Sequence, residues 1–419
     1  MGKRVGSSTC SLSSPLKKPK KKTAETPCLP EDIIHCKILP RVPLKSLFRF
    51  KSVSKTWNRT ISDDPLFALR QSLHSKFSCA STISVNRKKG GRLVVLSTFE
   101  ESPVGIPDPF LRFIGDNVSP LAILSSTNGL LCIRCHDSSR QQEFLYVCNP
   151  ATMKGTCVPA PEGMRSFVAV SVGLAFDPSV SLDRYELVHP IRSNGVNQTV
   201  EYRFKVLSSR RREWIKSDQV VVLGEGYPWK ESKPVFTKGV LYWYCDDYLL
   251  WFDCNNEISG YTLMPGELLS FTQQDIGVCR DRVSLTRLSD KGLEVWTMTD
   301  RHGWEKMYET RLETMVEGNI DLFGSFWTTM TLRSRDKVSK GLVKRYRMQP
   351  LPFEGGGRVL LRVRVRNSRY NGDGEKEKVL SYDVKTGKMG MVLYEGGLFQ
   401  EWQQVFGYNN SMVPFQVMR

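Results

Sequence analysis

Cys132, Cys135 and His136 form a literal C-x-x-C-H pattern, the spacing in this sequence that most directly suggests cofactor chemistry. In exported proteins this pattern attaches a c-type haem, and pairs of C-x-x-C motifs bind structural zinc. Here it continues an apolar run that starts at Gly129, which predicts a β-strand. Residues three apart on a strand point to opposite faces, and no second C-x-x-C follows at zinc-ribbon spacing. We therefore predict two strand cysteines and a loop histidine, with no haem, zinc or other cofactor.

Other residues that could support catalysis are scattered. No G-x-S-x-G elbow, phosphate-binding loop, dinucleotide fingerprint or H-E-x-x-H pair occurs. Asp246 and Asp247 are adjacent, so on a strand they would face opposite ways. The five histidines are His35, His74, His136, His189 and His302. None of these residues completes a catalytic set, so the sequence predicts a binding protein rather than an enzyme.

Composition limits the class of protein. A chain of 419 residues that is 40% hydrophobic can bury a large core and is long enough for more than one domain. No apolar run approaches the ~18 residues that a membrane span needs, and the N-terminus lacks the apolar stretch of a signal peptide. Eleven cysteines without a tight framework suit a reducing compartment. We expect a protein of the nucleus, the cytoplasm or both, without a membrane partner.

The net charge of +17 is unevenly distributed. Residues 1–22 carry seven basic groups and no acidic one, and residues 29–76 carry nine basic and four acidic groups. The rest of the chain is close to charge balance, which disfavours nucleic-acid binding there. Residues 1–28 are too polar to fold, so we predict a disordered tail. Its lysines are a candidate nuclear-localisation signal, with a solvated basic tail as the equal alternative: Lys17, Lys18, Lys20, Lys21 and Lys22.

The elements that could position a binding site begin at residue 29. Residues 29–76 predict three or four short helices. Pro30, with two acidic residues behind it, suits a first helical turn, Pro40 and Pro43 separate that helix from the next, and Asp64 suits an N-cap. A helical segment this small rarely buries enough apolar surface by itself. We therefore expect a partner protein to cover part of it.

The order of these residues closely resembles the F-box, the helical module of F-box proteins. The resemblance lies in Leu-Pro at 29–30, Ile-Leu-x-Arg-Val-Pro at 38–43, Lys-Ser-Val-Ser-Lys-x-Trp at 51–57 and Asp-Pro-x-Phe at 64–67. Thr60 departs from it, because the family more often has an apolar residue there. The resemblance implies docking on the SKP adaptor of a cullin–RING (SCF) ubiquitin ligase, in which this chain would be a non-catalytic subunit.

Twelve residues of this module are predicted to form the adaptor interface or the helical core beneath it, and the sequence does not separate the two roles. They are Leu29, Pro30, Ile33, Ile34, Ile38, Leu39, Val42, Pro43, Leu44, Leu47, Val53 and Trp57.

Residues 77–419 predict an all-β domain, because short apolar runs recur between Gly, Pro, Asn and Asp clusters. A repeated strand ends at a turn-forming residue in five places: Asn149, Asp253, Asp383 and, more loosely, after 204–207 and 295–298. Four-strand units with a period of about 45 residues are typical of β-propeller blades. We predict a β-propeller of about six blades, with seven as the alternative. Strand-like residues at 92–96, 402–406 and 413–415 are expected to share the closing blade.

Some side chains of this domain look like binding residues but are predicted to be structural. Arg362, Arg364 and Arg366 alternate with apolar residues, which predicts the exposed face of a strand. Four strand tryptophans are predicted to pack between blades: Trp243, Trp251, Trp296 and Trp304.

This domain also resembles the F-box-associated interaction domain of the large plant F-box family. The resemblance is carried, in the family's order, by residues 126–132, 149–150, 172–178, 238–243 and 293–296. It implies that the propeller binds the protein substrate of the ligase. Two alternatives stay open, a nuclear F-box protein that acts outside the ligase and a nucleic-acid-binding propeller.

Deleting residues 1–24 tests the lysine run. We expect the deletion to move a fluorescently tagged chain from the nucleus to the cytosol, because it removes seven basic groups. Adaptor affinity should not change, since the tail precedes the helices. If microscopy finds the same nuclear signal for both chains, the lysines are not a localisation signal and form only a solvated basic tail.

Overall fold

The structure, a computed structural model, describes most of the predicted helical and β regions. The described residues are 29–78, 81–86, 92–97, 106–162, 172–224, 233–245, 247–268, 273–289, 291–300, 303–323, 348–353, 355, 357–365, 376–392 and 405–413. The lysine run at 17–22, Asp246, His302 and Arg366 lie outside them. Among the described helices, none combines the length and the apolar character that crossing a membrane requires.

The N-terminal module is helical, as predicted. Its α-helices are α1 (Glu31–Ile33), α2 (Leu44–Phe50), α3 (Lys55–Asp63) and α4 (Pro65–Ser78). One π-helical turn, Ile34–Ile38, and one 3-10 turn, Leu39–Arg41, connect α1 to α2. The predicted N-cap of α4 is confirmed, because Asp64 Oδ1 accepts a hydrogen bond from the backbone N–H of Leu66 at 2.9 Å.

Two strands, β1 (Ser81–Asn86) and β2 (Arg92–Ser97), follow the helices. The next twenty described strands form five four-stranded antiparallel blades, each with consecutive strands as neighbours. Blades 1 and 2 contain β3 (Val118–Thr127), β4 (Leu130–Asp137), β5 (Gln142–Asn149), β6 (Lys154–Val158), β7 (Gly173–Ala175), β8 (Glu186–Asn194), β9 (Val200–Ser208) and β10 (Trp214–Leu223). Blades 3 and 4 contain β11 (Pro234–Thr237), β12 (Val240–Tyr244), β13 (Tyr248–Asp253), β14 (Ile258–Leu263), β15 (Gln273–Cys279), β16 (Arg282–Leu288), β17 (Gly292–Met298) and β18 (Trp304–Arg311). Blade 5 contains β19 (Met348–Pro350), β20 (Arg358–Val365), β21 (Lys376–Asp383) and β22 (Met389–Met391).

The blades form a β-propeller, because the first strands of successive blades contact one another around a central channel. The ring is closed by a three-stranded sheet in the order β2, β1, β23, where β23 (Phe406–Tyr408) comes from the other end of the domain. β1 pairs with β23 from Ser81 opposite Tyr408 to Ile83 opposite Phe406. Of the residues predicted to share the closing sheet, 92–96 and Phe406 lie in it, whereas Val405 and Val413 do not. Residues 402–404, 414 and 415 lie outside the described residues.

The predicted blade number is wrong, since the described residues form five four-stranded blades and this smaller closing sheet. The miscount arises between Asp253 and Asp383. Their separation of 130 residues predicts three repeats, whereas the structure places them two blades apart. Two short helices after blade 4, α5 (Leu312–Glu317) and α6 (Ile320–Phe323), take up part of the extra length.

The predicted turn repeat is confirmed. Asn149, Asp253 and Asp383 each end the third strand of a blade. In all three, the side-chain Oδ1 accepts a hydrogen bond from the N–H two residues on, at 2.9, 2.8 and 3.0 Å. The two looser copies lie in β9 and β17, the third strands of blades 2 and 4.

Most of the β core lies between neighbouring blades. Trp243 and Trp296 are buried there, and Trp251 and Trp304 pack against the same clusters, so the structural prediction for the tryptophans is confirmed. Arg362 contradicts the prediction of an exposed arginine face, because it is 2% exposed. Its strand, β20, lies between β19 and β21, and the apolar residues on either side of Arg362 are also buried.

The C-x-x-C-H pattern is structural. Cys132 packs in the cluster between blades 1 and 2, and Cys135 packs in the cluster between blade 1 and the closing sheet, so the two thiols face opposite ways as predicted. Burial raises the pKa of Cys132 to about 12 and raises the pKa of Cys135 as well, which leaves both as unreactive thiols. His136 lies within β4, so its prediction as a loop residue is wrong.

Asn149 differs from its repeat equivalents because it carries an amide. It is fully buried, and its Nδ2 donates hydrogen bonds to the carbonyl oxygens of Ser411 at 2.8 Å and Val413 at 3.0 Å. A carboxylate has no N–H to donate, so Asp in this position could not make these bonds. The turn of blade 1 therefore holds the segment that follows β23.

We expect Asn149→Asp to lower the free energy of unfolding by about 3 kcal/mol, because it buries a charge against two carbonyl oxygens. Asp253→Asn is the matched control and should cost less than about 1 kcal/mol, since an amide keeps the Oδ1 acceptor of an exposed turn. Urea unfolding followed by tryptophan fluorescence measures both. Equal losses would show that the two donated hydrogen bonds do not stabilise the fold.

Candidate protein-docking site

The N-terminal helices have a small apolar core of their own. Leu39, Leu44 and Leu47 are buried against Ile61, Phe67 and Ala68 of α3 and α4. Trp57 covers one side of this core, with its ring edge-on to Phe50 at 5.6 Å between centroids. α3 starts at a conventional cap, since Ser54 Oγ accepts a hydrogen bond from the N–H of Trp57 at 3.1 Å. These contacts hold the helices in place before any partner binds.

The structure separates the twelve predicted residues into three groups. Those buried within the chain are Leu39, Leu44 and Leu47. Those partly buried are Ile34, Val42 and Trp57. Those exposed are Leu29, Pro30, Ile33, Ile38, Pro43 and Val53. Only the exposed and partly buried residues can contact another protein without unfolding the helices.

Two exposed leucines on α4 extend the apolar surface and were missed by sequence reasoning. Leu66 is 59% exposed and Leu73 is 38% exposed, comparable with Leu29 at 58% and Val53 at 60%. Leu66 and Leu73 are seven residues apart, so they lie on one face of α4, whereas Phe67 lies on the buried face. Apolar residues lie on both faces of α4, so helical periodicity does not tell which face is exposed. We define the exposed apolar surface as Leu29, Ile33, Ile38, Val53, Leu66 and Leu73.

The same module also exposes basic side chains. Arg41, Lys45 and Arg49 are exposed. Burial lowers the pKa of His74, and the neighbouring Arg41 and Lys37 lower it further, because nearby positive charges disfavour a second cation. The module thus combines exposed apolar side chains with a net positive charge, which suits a partner that presents apolar and acidic groups.

The helical module is mounted on blade 1. Ala151, in the turn after β5, and Met412 complete the apolar cluster of the helices. Burial lowers the pKa of Lys51, the residue that follows α2. Asp63 opposes this shift and Lys154 of blade 1 adds to it, so the end of α2 also lies close to that blade. These contacts therefore fix the position of the exposed apolar residues relative to the propeller.

The central channel of the propeller holds a second candidate site, a cavity of about 390 Å³. Its wall includes Lys233, which donates a hydrogen bond to Asp275 at 2.8 Å and lies 5.3 Å from the centre of the Phe406 ring. Arg280 and Asp281 form the two-residue turn between β15 and β16 at the cavity edge, with φ of 51° and 59°. Two consecutive positive φ values are what a two-residue type I′ hairpin turn requires, and this turn places both residues in the wall of the cavity.

Comparisons with known proteins identify the helical module at the N-terminal end. A family model described as the F-box domain matches residues 27–69. F-box protein At5g49610 of Arabidopsis thaliana is 27% identical over 308 residues, which cover 69% of this chain and 78% of that protein. The putative F-box/kelch-repeat protein At1g12870 of Arabidopsis thaliana is 25% identical over 318 residues, covering 68% and 71%. A solved protein from Lactobacillus plantarum aligns with a TM-score of 0.33 and 8% identity over 80% of this chain and 98% of that chain.

A helical F-box followed by a β-propeller defines the class of this protein. The chain carries an F-box domain and is similar to F-box and F-box/kelch-repeat proteins of Arabidopsis thaliana.

The burial of the F-box residues leads to a stability prediction. We expect Leu47→Ala to lower the free energy of unfolding by about 2–5 kcal/mol, because Leu47 is fully buried in the helical core. Leu29→Ala should change it by less than about 0.5 kcal/mol, since Leu29 is largely exposed. Thermal and urea unfolding distinguish the two. A large loss from Leu29→Ala would mean that Leu29 belongs to the fold rather than to a docking surface.

Proposed function

We propose that this protein is the substrate-recognition subunit of an SCF-type ubiquitin ligase. The F-box docks on a SKP-type adaptor, through which cullin and RING subunits join, and the propeller binds a target protein. F-box proteins in general are adaptor subunits without catalytic residues, which agrees with the absence of a recognisable catalytic motif in the sequence. The single observation that best supports the proposal is the exposed apolar surface of a correctly folded F-box.

This surface is too apolar to be explained by the fold of the chain alone. Leu29, Val53 and Leu66 each expose more than half of their side-chain surface although the helices beneath them are well packed. Exposed large apolar residues that cluster on one small module mark a protein-binding surface. Covering them with an apolar partner would contribute about 25 cal/mol per Å² buried.

The mechanism that we propose is positional. An enzyme elsewhere in the assembly transfers ubiquitin, and the F-box protein raises the effective concentration of a target lysine near that enzyme. The rigid contact between the F-box and blade 1 supports this role, because a target held on the propeller keeps a defined orientation relative to the adaptor. The channel edge around Arg280 is our candidate for target contact.

We expect Ile33→Asp to weaken binding to a purified SKP-type adaptor at least 100-fold, or about 3 kcal/mol, because the new carboxylate must be desolvated without a partner. Val180→Asp is the matched control, since Val180 is exposed on a propeller turn, and it should leave the affinity unchanged. Isothermal titration calorimetry gives both affinities, and circular dichroism checks the fold. Equal affinities in the two variants would refute the docking assignment.

The same Ile33→Asp variant tests the receptor role in cells. We expect it to retain target proteins that the unmodified chain loses to degradation, because the propeller is unchanged while the ligase is not recruited. Proteins enriched on the variant should be ubiquitinated by the reconstituted ligase containing the unmodified chain. If the unmodified chain binds the adaptor but none of these proteins is ubiquitinated, the propeller binds its partners for a purpose other than ubiquitin transfer.

A further inference from the structure

The residues that follow β23 lie between the F-box and the propeller. Met412 packs in the apolar cluster of the F-box, and Val413 packs in the cluster between blades 1 and 2. Ser411, Met412 and Val413 are all buried. We call residues 409–413 the C-terminal segment. It contacts both domains at once, immediately after the strand that closes the ring.

Gln71 of α4 holds this segment from the F-box side. The side chain is 3% exposed, and its Oε1 accepts a hydrogen bond from the N–H of Met412 at 2.8 Å. Its Nε2 donates to the carbonyl oxygen of Asn410 at 3.3 Å. One amide thus satisfies a donor and an acceptor of the segment, much as a neighbouring strand would.

Asn149 holds the same segment from the propeller side, through the carbonyl oxygens of Ser411 and Val413. Backbone groups of residues 410 and 412 therefore face the F-box, while those of 411 and 413 face blade 1. Gly129 leaves room for this contact, because a Cβ there would overlap the Ser411 side chain. Its φ of 89° in the turn after β3 also favours glycine.

α4 meets the segment through apolar packing and through hydrogen bonds, because Met412 packs in the cluster that contains Phe67 and Ala68, while Gln71 bonds to the backbone of the segment. Gln71, Ser72 and Ser75 are buried on this helix, and Ser75 Oγ donates to the carbonyl oxygen of Ser72 within it. Without Gln71, the N–H of Met412 would lose its only side-chain partner among the described residues. An unpaired buried N–H is costly, which makes Gln71 the residue that fixes the segment to the F-box.

We propose that Gln71 is a positioning residue that couples closure of the propeller ring to the placement of the F-box. When β23 is paired with β1, the C-terminal segment is held between the two amides and the F-box has one orientation. When the segment detaches, the pairing between β1 and β23 weakens, and the contacts that hold the F-box on blade 1 weaken with it. The consequence for ubiquitin transfer rests on the proposed function. The coupling itself is a property of this chain alone and does not require a bound partner.

The coupling is testable in the full-length chain without any partner. Gln71→Met keeps the side-chain volume and removes both hydrogen bonds. Ser75→Ala is the matched control, because it removes a buried hydrogen bond on the same helix that does not reach the segment. Fluorophores introduced as non-cysteine labels at Lys55 and Val180, both exposed, report the distance between F-box and propeller.

We expect Gln71→Met to broaden the distance distribution measured by single-molecule energy transfer, and Ser75→Ala to leave it unchanged. Hydrogen exchange should become at least ten-fold faster both in residues 405–413 and in β1, which Gln71 does not contact. Asn149→Asp should loosen the F-box in the same way from the opposite side. An unchanged distance distribution in Gln71→Met, or a loosened F-box with normal exchange in β1, would overturn the coupling.

Adaptor affinity separates this inference from the proposed function. Gln71 is buried against the propeller, so Gln71→Met should bind a purified SKP-type adaptor as tightly as the unmodified chain does. If the unmodified chain does not bind the adaptor, the proposed function fails while the coupling measured in the free chain still stands.

Discussion

The closing pair between β1 and β23 is the contact on which the rest of the molecule depends. A ring of blades leaves two unpaired sheet edges unless the two ends of the domain meet in one sheet. Here Ile83 lies opposite Phe406, so the sheet is built from both ends. The segment that follows β23 then accepts hydrogen bonds from Asn149 of blade 1 and contacts the F-box. The attachment of the F-box to the propeller is therefore part of the ring closure.

Local turn chemistry was the part of the fold that the sequence predicted best. Asn149, Asp253 and Asp383 mark the ends of third strands because a side-chain oxygen that satisfies the next turn is required wherever such a turn occurs. The number of blades could not be obtained in the same way. Spacing counts residues, and helices inserted after blade 4 add residues without adding a blade.

Burial was harder to predict, because it depends on neighbours that are distant in sequence. Arg362 follows the alternation of a half-exposed strand, yet a middle strand of a blade can be covered on both faces. In the F-box, Leu29 and Leu47 are equally apolar, and only packing against Phe67 and Met412 makes one of them core. Spacing alone could not separate the exposed leucines of α4 from its buried residues, because apolar side chains lie on both faces of that helix.

The register of the closing sheet also sets an order of events during synthesis. β1 leaves the ribosome more than 300 residues before its partner β23, and at about 5–20 residues per second that interval lasts tens of seconds. Throughout it, one edge of β1 has no strand to pair with, and α4 has no C-terminal segment for Gln71 to bind. The F-box is thus made first and anchored last. A nascent chain whose early edge strand waits this long gains from a chaperone that covers it until translation ends.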